Sequence, residues 1–267
     1  MSANNISFSG NIPENYDRYL GPFLFEPYAQ DIVERINNPD AKNILEIACG
    51  TGRVTKYLRK AFPYTVKLIA TDINTDMLKV AKKNIQDNSV EFKVVDAVDL
   101  PFADNTFDLI ICQFGYMFVP DKSKAFSEAF RVLKKGGCLL FNTWDKIDNN
   151  PLVHTVNKIV IDFFESSPPQ FYQIPFSMYK KDEILKLMKD AKFTNINIAK
   201  VKKESSSHSA LEVVKGLITG NPVYNEIVQK DPSAPKILTE NAEKKVVKMF
   251  GIYAKSNLSA WVIKGFK

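Results

Sequence analysis

Between Asn43 and Asp145, short runs of β-branched and aromatic residues alternate with amphipathic segments, which is the pattern of repeated βαβ units and a parallel sheet. The apolar runs fall at 43–47, 66–71, 90–95, 107–113 and 138–143. Each is rich in Ile, Val, Leu or Phe and ends near a polar residue or glycine, as a strand buried on both faces does. The segments between them repeat at helical spacing. After Gly52, Val54, Tyr57, Leu58 and Phe62 form one stripe. A second helix opens at Asn74, a good cap, and turns Met77, Leu78 and Ala81 inward. A third begins at Asp121, carries Phe126, Ala129, Phe130 and Leu133, and is expected to stop at Gly136-Gly137.

Beyond Trp144 the pattern loosens. Pro151 suits a first helical turn, and Leu152, Val153, Val156, Ile159, Val160 and Phe163 trace a stripe before Ser166-Ser167-Pro168-Pro169 breaks it. Helices are expected over 181–191, near 211–217 and over 236–250, with strands over 195–201 and 258–264. The two late strands complete a seven-stranded, mostly parallel, Rossmann-like α/β sheet with helices on both faces, and are placed to add an antiparallel edge. The expected organisation is an N-terminal leading segment and helix (1–40), a core (41–150) that carries the candidate cofactor site, and a third part (151–267) of lid insertions plus the last strands of the same sheet.

Composition narrows the class. A chain of 267 residues with 45% hydrophobic content buries a core without disulfides or metals. Cys49, Cys112 and Cys138 show no Cys-x-x-Cys spacing and no neighbouring histidine, so they read as small buried residues and no metal site is expected. The formal charge of +6 comes mainly from lysines set beside Asp and Glu, as in Lys180-Lys181-Asp182-Glu183; solvated surface is the reading, and nucleic acid is not an expected partner. The N-terminus lacks a basic start before an apolar stretch, and the apolar run 109–120 is too short to span a bilayer. A cytoplasmic protein with no membrane partner is therefore expected, as a monomer or homodimer.

The chemistry concentrates after the first strand, in Glu46-Ile47-Ala48-Cys49-Gly50-Thr51-Gly52. Gly50 and Gly52 adopt positive φ readily and let backbone amides approach a ligand, which suits a nucleoside cofactor. Asp72, twenty positions after Gly52 at the end of the next strand, is placed to accept hydrogen bonds from two ribose hydroxyls. A dinucleotide site carries a third glycine so that a pyrophosphate sits on the helix N-terminus; counted from Gly50 that place is Thr55, and counted from Ala48 it is Arg53. Neither register completes the pattern.

The turn instead resembles the first motif of the class I S-adenosylmethionine-dependent methyltransferases. Leu68-Ile69-Ala70-Thr71-Asp72-Ile73 is similar to their second motif and Val95-Asp96-Ala97 to their third. Asp99-Leu100-Pro101-Phe102 through Asn105-Thr106-Phe107-Asp108-Leu109-Ile110, with Arg131-Val132-Leu133-Lys134-Lys135-Gly136-Gly137, resembles the type 11 small-molecule branch. The resemblance covers about residues 43–145. It implies S-adenosylmethionine as cofactor, contacted by Glu46, Ala48, Gly50, Gly52, Asp72, Ile73, Met77, Asp96 and Ala97. Asp96 would then meet the adenine amino group, with Ile73 and Met77 covering the ring. The stretch from Ser7 to Tyr19 resembles a leading segment that folds over the cofactor, which makes Tyr16 and Arg18 candidates for the methionine carboxylate.

The expected reaction is in-line methyl transfer to an O-, N- or C-nucleophile of a small-molecule substrate. Such a displacement needs alignment and exclusion of water, so no dedicated catalytic residue is assigned. Gln113, ending the fourth strand, is set to touch cofactor or substrate. Glu46 orders the loop, reaches the methionine amine through water, or is purely structural. Tyr16, Tyr19, Phe23, Phe25, Phe114, Tyr116, Phe118 and Trp144 wall a pocket or pack in the core, while His154 and His208 read as surface. The alternatives are a catalytically silent relative and, less favoured, an NAD-dependent oxidoreductase.

Overall fold

A computed structural model describes residues 7–267; the first six residues of the expected leading segment lie outside them. The strands are β1 (Asn43–Ile47), β2 (Lys67–Asp72), β3 (Val90–Val94), β4 (Phe107–Gln113), β5 (Leu133–Trp144), β6 (Thr194–Ser205) and β7 (Ser256–Phe266). They form one seven-stranded sheet in the order β3-β2-β1-β4-β5-β7-β6. The first five strands run parallel, and β7 lies antiparallel to β5 from Cys138↔Phe266 to Trp144↔Ala260. The helices are α1 (Ile12–Asn15), α2 (Glu26–Glu34), α3 (Arg53–Ala61), α4 (Thr75–Asn84), α5 (Lys122–Val132), α6 (Pro151–Phe164), α7 (Lys181–Asp190), α8 (Ala210–Thr219), α9 (Val223–Lys230) and α10 (Ala234–Phe250).

The chain divides into two compact units. One takes residues 28–144, 178–201 and 260–267, and so holds the parallel strands with their crossover helices. Its central strands are buried on both faces, as continuous apolar runs require: Ile44, Leu45, Ile110, Ile111, Leu139 and Phe141 have essentially no exposed surface. The other unit comprises, of the described residues, 7–27, 145–177 and 202–259, and is chiefly helical. Within it a π-helical stretch, Tyr16–Phe25, contains Pro22. Proline has no N–H to donate, and the wider turn closes through the Glu26 amide onto the Gly21 carbonyl. In the same unit Gly216 lets α8 approach this stretch; a Cβ there would lie 2.7 Å from Leu20 Cδ2.

One expectation is corrected, and one helix is added. The third crossover helix ends at Val132 rather than at Gly136-Gly137, because the backbone is already extended at Leu133. Gly136 (φ +78°) and Gly137 sit inside β5, and a Cβ on Gly137 would lie 2.8 Å from the Lys134 carbonyl oxygen and 3.2 Å from that of Phe107. They serve the β4–β5 bulge, not the helix stop. Helix α9, eight residues following Asn221-Pro222, was not anticipated, since so short a segment shows little periodicity.

Candidate active site

The chain passes from β1 outward to β2 and β3 on one side of the sheet, then returns to β4 and β5 on the other. The order thus reverses between β1 and β4, and in open α/β sheets ligands bind beyond the strands' C-terminal ends at such a reversal. Ala48, Gly50 and Gly52 lie in the loop after β1, Asp72 and Ile73 at the end of β2, Asp96 and Ala97 just after β3, and Gln113 at the end of β4. Topology thus gathers onto one edge residues that are far apart in the chain. Met77 follows on the first turn of α4, buried.

Three backbone contacts set the β1 loop. Cys49 donates its amide to the Thr71 carbonyl at 2.8 Å, Gly52 donates to the Cys49 carbonyl at 2.9 Å, and the Gly50 amide donates to the Asp72 carboxylate at 2.8 Å. The positive φ values of Ala48 (54°), Gly50 (55°) and Gly52 (86°) make the sharp reversal. A Cβ built on Gly50 meets nothing within 4 Å, so the loop presents bare backbone to open space. One on Gly52 would lie 3.1 Å from Ile85 Cγ1, which records how closely α3 and α4 approach.

Asp72 is buried and accepts from Gly50 N–H on one oxygen and from Asn74 N–H, at 2.8 Å, on the other, so it ties the loops after β1 and β2 together. Burial raises its pKa, and the amide donors oppose the rise. Asn74 caps α4, accepting from the Asp76 and Met77 amides at 2.9 and 3.0 Å, as its position before the helix predicts.

Glu46, at the end of β1, is a second buried acid beside this loop. Its Oε2 accepts the Thr55 hydroxyl at 2.6 Å, and its carbonyl accepts the Thr71 hydroxyl at 2.9 Å. Loss of hydration pushes its pKa up to about 8, with the negative field of Asp72 adding to the rise and Thr55 opposing it. Thr55 stands where a dinucleotide fingerprint has its third glycine, and here that side chain is the partner of Glu46. The departure from the glycine pattern therefore has a structural use.

The β4 loop meets the β1 loop directly: a Cβ on Gly115 would lie 2.5 Å from Ala48 Cβ and 2.6 Å from Cys112 Sγ. Phe114 takes a left-handed conformation (φ 51°), and both the carbonyl and Oδ1 of Asn142 accept its amide, at 3.2 and 3.0 Å. Its ring stacks on Trp144 at 3.9 Å. Asn142 and Gly115 were not among the sequence candidates; the signals were a lone amide inside the apolar run of β5 and a glycine just past a strand end.

The remaining candidates divide. Ile73 is 64% exposed beside Asp72. Asp96 is exposed and accepts the Val98 amide at 3.1 Å. Gln113 is half-buried. Phe23, Phe25, Phe114, Tyr116 and Trp144 are buried side chains, whereas Tyr19 and Phe118 are half-buried. Tyr16 and Arg18 belong to the helical unit, where Tyr16 stacks on Phe25 at 4.7 Å and the Arg18 guanidinium lies 5.2 Å from the centre of the Tyr19 ring. His154, half-exposed, has Nδ1 3.7 Å from Asp148, and His208 is exposed. Among the described residues no cluster suited to a metal ion occurs, and all three cysteines are buried and free.

Comparison with known proteins defines the class. A family model described as a methyltransferase domain, of the type 11 group, matches residues 45–141. A demethylmenaquinone methyltransferase from Staphylococcus saprophyticus is 28% identical over 203 residues, spanning 70% of this chain and 87% of its own. The ubiquinone/menaquinone biosynthesis C-methyltransferase UbiE of Cronobacter sakazakii is 32% identical over 174 residues, 58% of this chain and 68% of its own. A phosphoethanolamine N-methyltransferase 2 from Haemonchus contortus, solved with phosphomonomethylethanolamine and S-adenosylhomocysteine, superposes with a TM-score of 0.60 at 18% identity; the match covers 96% of this chain and 56% of that one. The chain belongs to the type 11 class I S-adenosylmethionine-dependent methyltransferases. It is an enzyme of that class, and its cofactor is S-adenosylmethionine.

Proposed function

We propose that the crevice edge built from Glu46, Ala48, Gly50, Gly52, Asp72, Ile73, Met77, Asp96, Ala97 and Gln113 holds the cofactor, and that the methyl acceptor is a small molecule with a carbon nucleophile of the quinol type. The observation that carries the first part is the open space over Gly50, whose backbone is held in place by its amide's hydrogen bond to Asp72. Bare backbone with positive φ suits the methionine tail, which needs close main-chain approach and no phosphate cradle. When bound, S-adenosylmethionine supplies an electrophilic methyl group on a sulfonium. The residues then have to align the acceptor and keep water out. Asp72 is set to accept from ribose hydroxyls, and Asp96, exposed beyond β3, from an exocyclic amine. Exposed Ile73 offers an apolar cover for a base. Glu46, neutral below about pH 8 while buried, gains its charge when a cationic amine approaches.

The acceptor class is supported by the relatives, two of which are named for quinone methylation, one of them explicitly as a C-methyltransferase. The test is incubation of the purified chain with S-adenosylmethionine and, separately, reduced demethylmenaquinone with a short side chain, a catechol and a primary amine, reading S-adenosylhomocysteine release and product mass. Carbon methylation of the quinol is the expected result. Methylation of the catechol or amine alone overturns the carbon assignment, and turnover with none of the three overturns the quinol-type acceptor.

A further inference from the structure

The helical unit carries a surface feature that methyl transfer does not use. The inner face of α10 is spent on packing: Ala234, Leu238, Ala242 and Val246 are buried, four residues apart. Its outer face and the turn after it are unusual. Between Lys244 and Lys255 the sequence is Lys-Lys-Val-Val-Lys-Met-Phe-Gly-Ile-Tyr-Ala-Lys, with four lysines and no acid. Val247, Met249, Ile252 and Tyr253 in this stretch are 39%, 53%, 61% and 60% exposed.

Such exposure in a frayed helix end would mean little, but this turn is fixed. Gly251 closes α10 at φ +76°, the Lys255 amide donates to the Phe250 carbonyl at 3.0 Å, and Ala254 and Ser256 are buried. The carbonyls of Ile252 and Tyr253 accept the Ala210 and Ser207 amides, both at 2.8 Å. The backbone is thus held from beneath while the two side chains face outward. Of the lysines, Lys255 pairs with Glu204 at 2.9 Å, whereas Lys244, Lys245 and Lys248 make no ion pair among the described residues. Along the helix Glu240 stands one turn before Lys244 and Glu243 adjoins it, whereas Lys248 has no acid within a turn.

We infer that the end of α10 and the turn through Tyr253 form a docking surface for an anionic lipid bilayer, used peripherally. A fixed apolar tip with a tyrosine, preceded on the helix by three lysines without an ion pair, matches an interface whose headgroups are negative and whose acyl boundary is a few ångströms below. Tyrosine sits well at that boundary because one end is apolar and the other polar. No helix among the described residues is long and apolar enough to cross a membrane, so the contact is a surface one. A second copy of the chain is a poor occupant, since a self-complementary contact would oppose lysines to lysines. The lysines taken from sequence as plain solvated surface acquire a role only because the structure exposes four apolar side chains among them. The inference does not depend on which acceptor is methylated.

The test is co-sedimentation of the full chain with vesicles of phosphatidylcholine alone and of phosphatidylcholine containing one third phosphatidylglycerol. Binding to the anionic vesicles and weak binding to the neutral ones is expected. A Lys244→Ser, Lys245→Ser, Lys248→Ser triple variant should lose roughly fivefold in partitioning per lysine at low salt. An Ile252→Ser, Tyr253→Ser double variant should lose at least tenfold with an unchanged melting curve, as both side chains are exposed. Equal binding to both vesicle types overturns the inference. So does unchanged binding by the serine double variant, which would show a charge effect without insertion. A vesicle-free dimer abolished by that variant would make the patch a protein interface instead, as would capture of an acidic polypeptide that the variant loses while vesicle binding persists.

Discussion

Replacing Glu46 with glutamine gives a direct reading of what burial does to the β1 loop. The Glu46 carboxyl keeps its proton up to about pH 8 in the folded protein, because desolvation and the neighbouring Asp72 outweigh the Thr55 hydrogen bond. In the unfolded chain it ionises near the ordinary value, about 4.3. Between those two values the native state holds one more proton than the unfolded state, so the stability this group contributes is complete below the lower value. It is lost as pH rises toward about 8, and is level above that. The slope for one group is a little over 1 kcal/mol per pH unit, and the whole span amounts to at most about 5 kcal/mol. Glutamine keeps an oxygen for the Thr55 hydroxyl and cannot ionise. The stability of Glu46→Gln minus that of the natural protein should therefore climb with pH by about 1 kcal/mol per unit and flatten near 8. Asp72, whose pKa is also raised, cancels in this difference. Urea denaturation at pH 5.5, 6.5, 7.5 and 8.5 measures it directly. A difference that stays constant across that range would show Glu46 ionised in the folded protein and the desolvation argument mistaken. Saturating S-adenosylmethionine should shift the climb to lower pH if the methionine amine draws the proton off.

Three further outcomes test the site. Asp72→Ala strands the Gly50 and Asn74 amides, at about 1–3 kcal/mol each, and calorimetric titration should show cofactor affinity down at least tenfold; unaltered affinity removes Asp72 from the ribose. Gly115→Ala drives a methyl group into Ala48 and Cys112, costing about 1–3 kcal/mol, and the pressure on Ala48 should weaken S-adenosylhomocysteine binding, with partial recovery in Gly115→Ala, Ala48→Gly. Full affinity without the second change would mean that the loops move freely past each other. Asn74→Ala removes the α4 cap and should lower stability by about 1 kcal/mol, or roughly 2–4 °C in Tm by calorimetry.

The sequence was most legible where local physics is strongest. Strand limits at 43–47 and 107–113 match the structure because continuous apolar runs leave no other placement, and Asn74 and Asp121 cap their helices as their positions foretell. Misreadings came where tertiary context overrides a local signal. Gly136-Gly137 looks like a helix stop and is instead a strand bulge, set by the closeness of the Phe107 carbonyl. Phe114, Tyr116 and Trp144 are equally good wall or core residues in a linear reading. Only the partners that stack on them place them in the core.

The sequence by itself determined the parallel core, the glycine turn and the acids at the strand ends, since period, cap and turn chemistry are local properties. Tertiary structure decided what long-range neighbours impose. Asp72 binds the β1 loop as well as standing beside it, and Thr55 answers Glu46 in place of a glycine. Asn142 holds a strained Phe114, and four apolar side chains near the end of α10 remain outside the core. Each of these depends on distances between residues remote in the chain, and those distances are fixed only when the sheet forms and the helices pack.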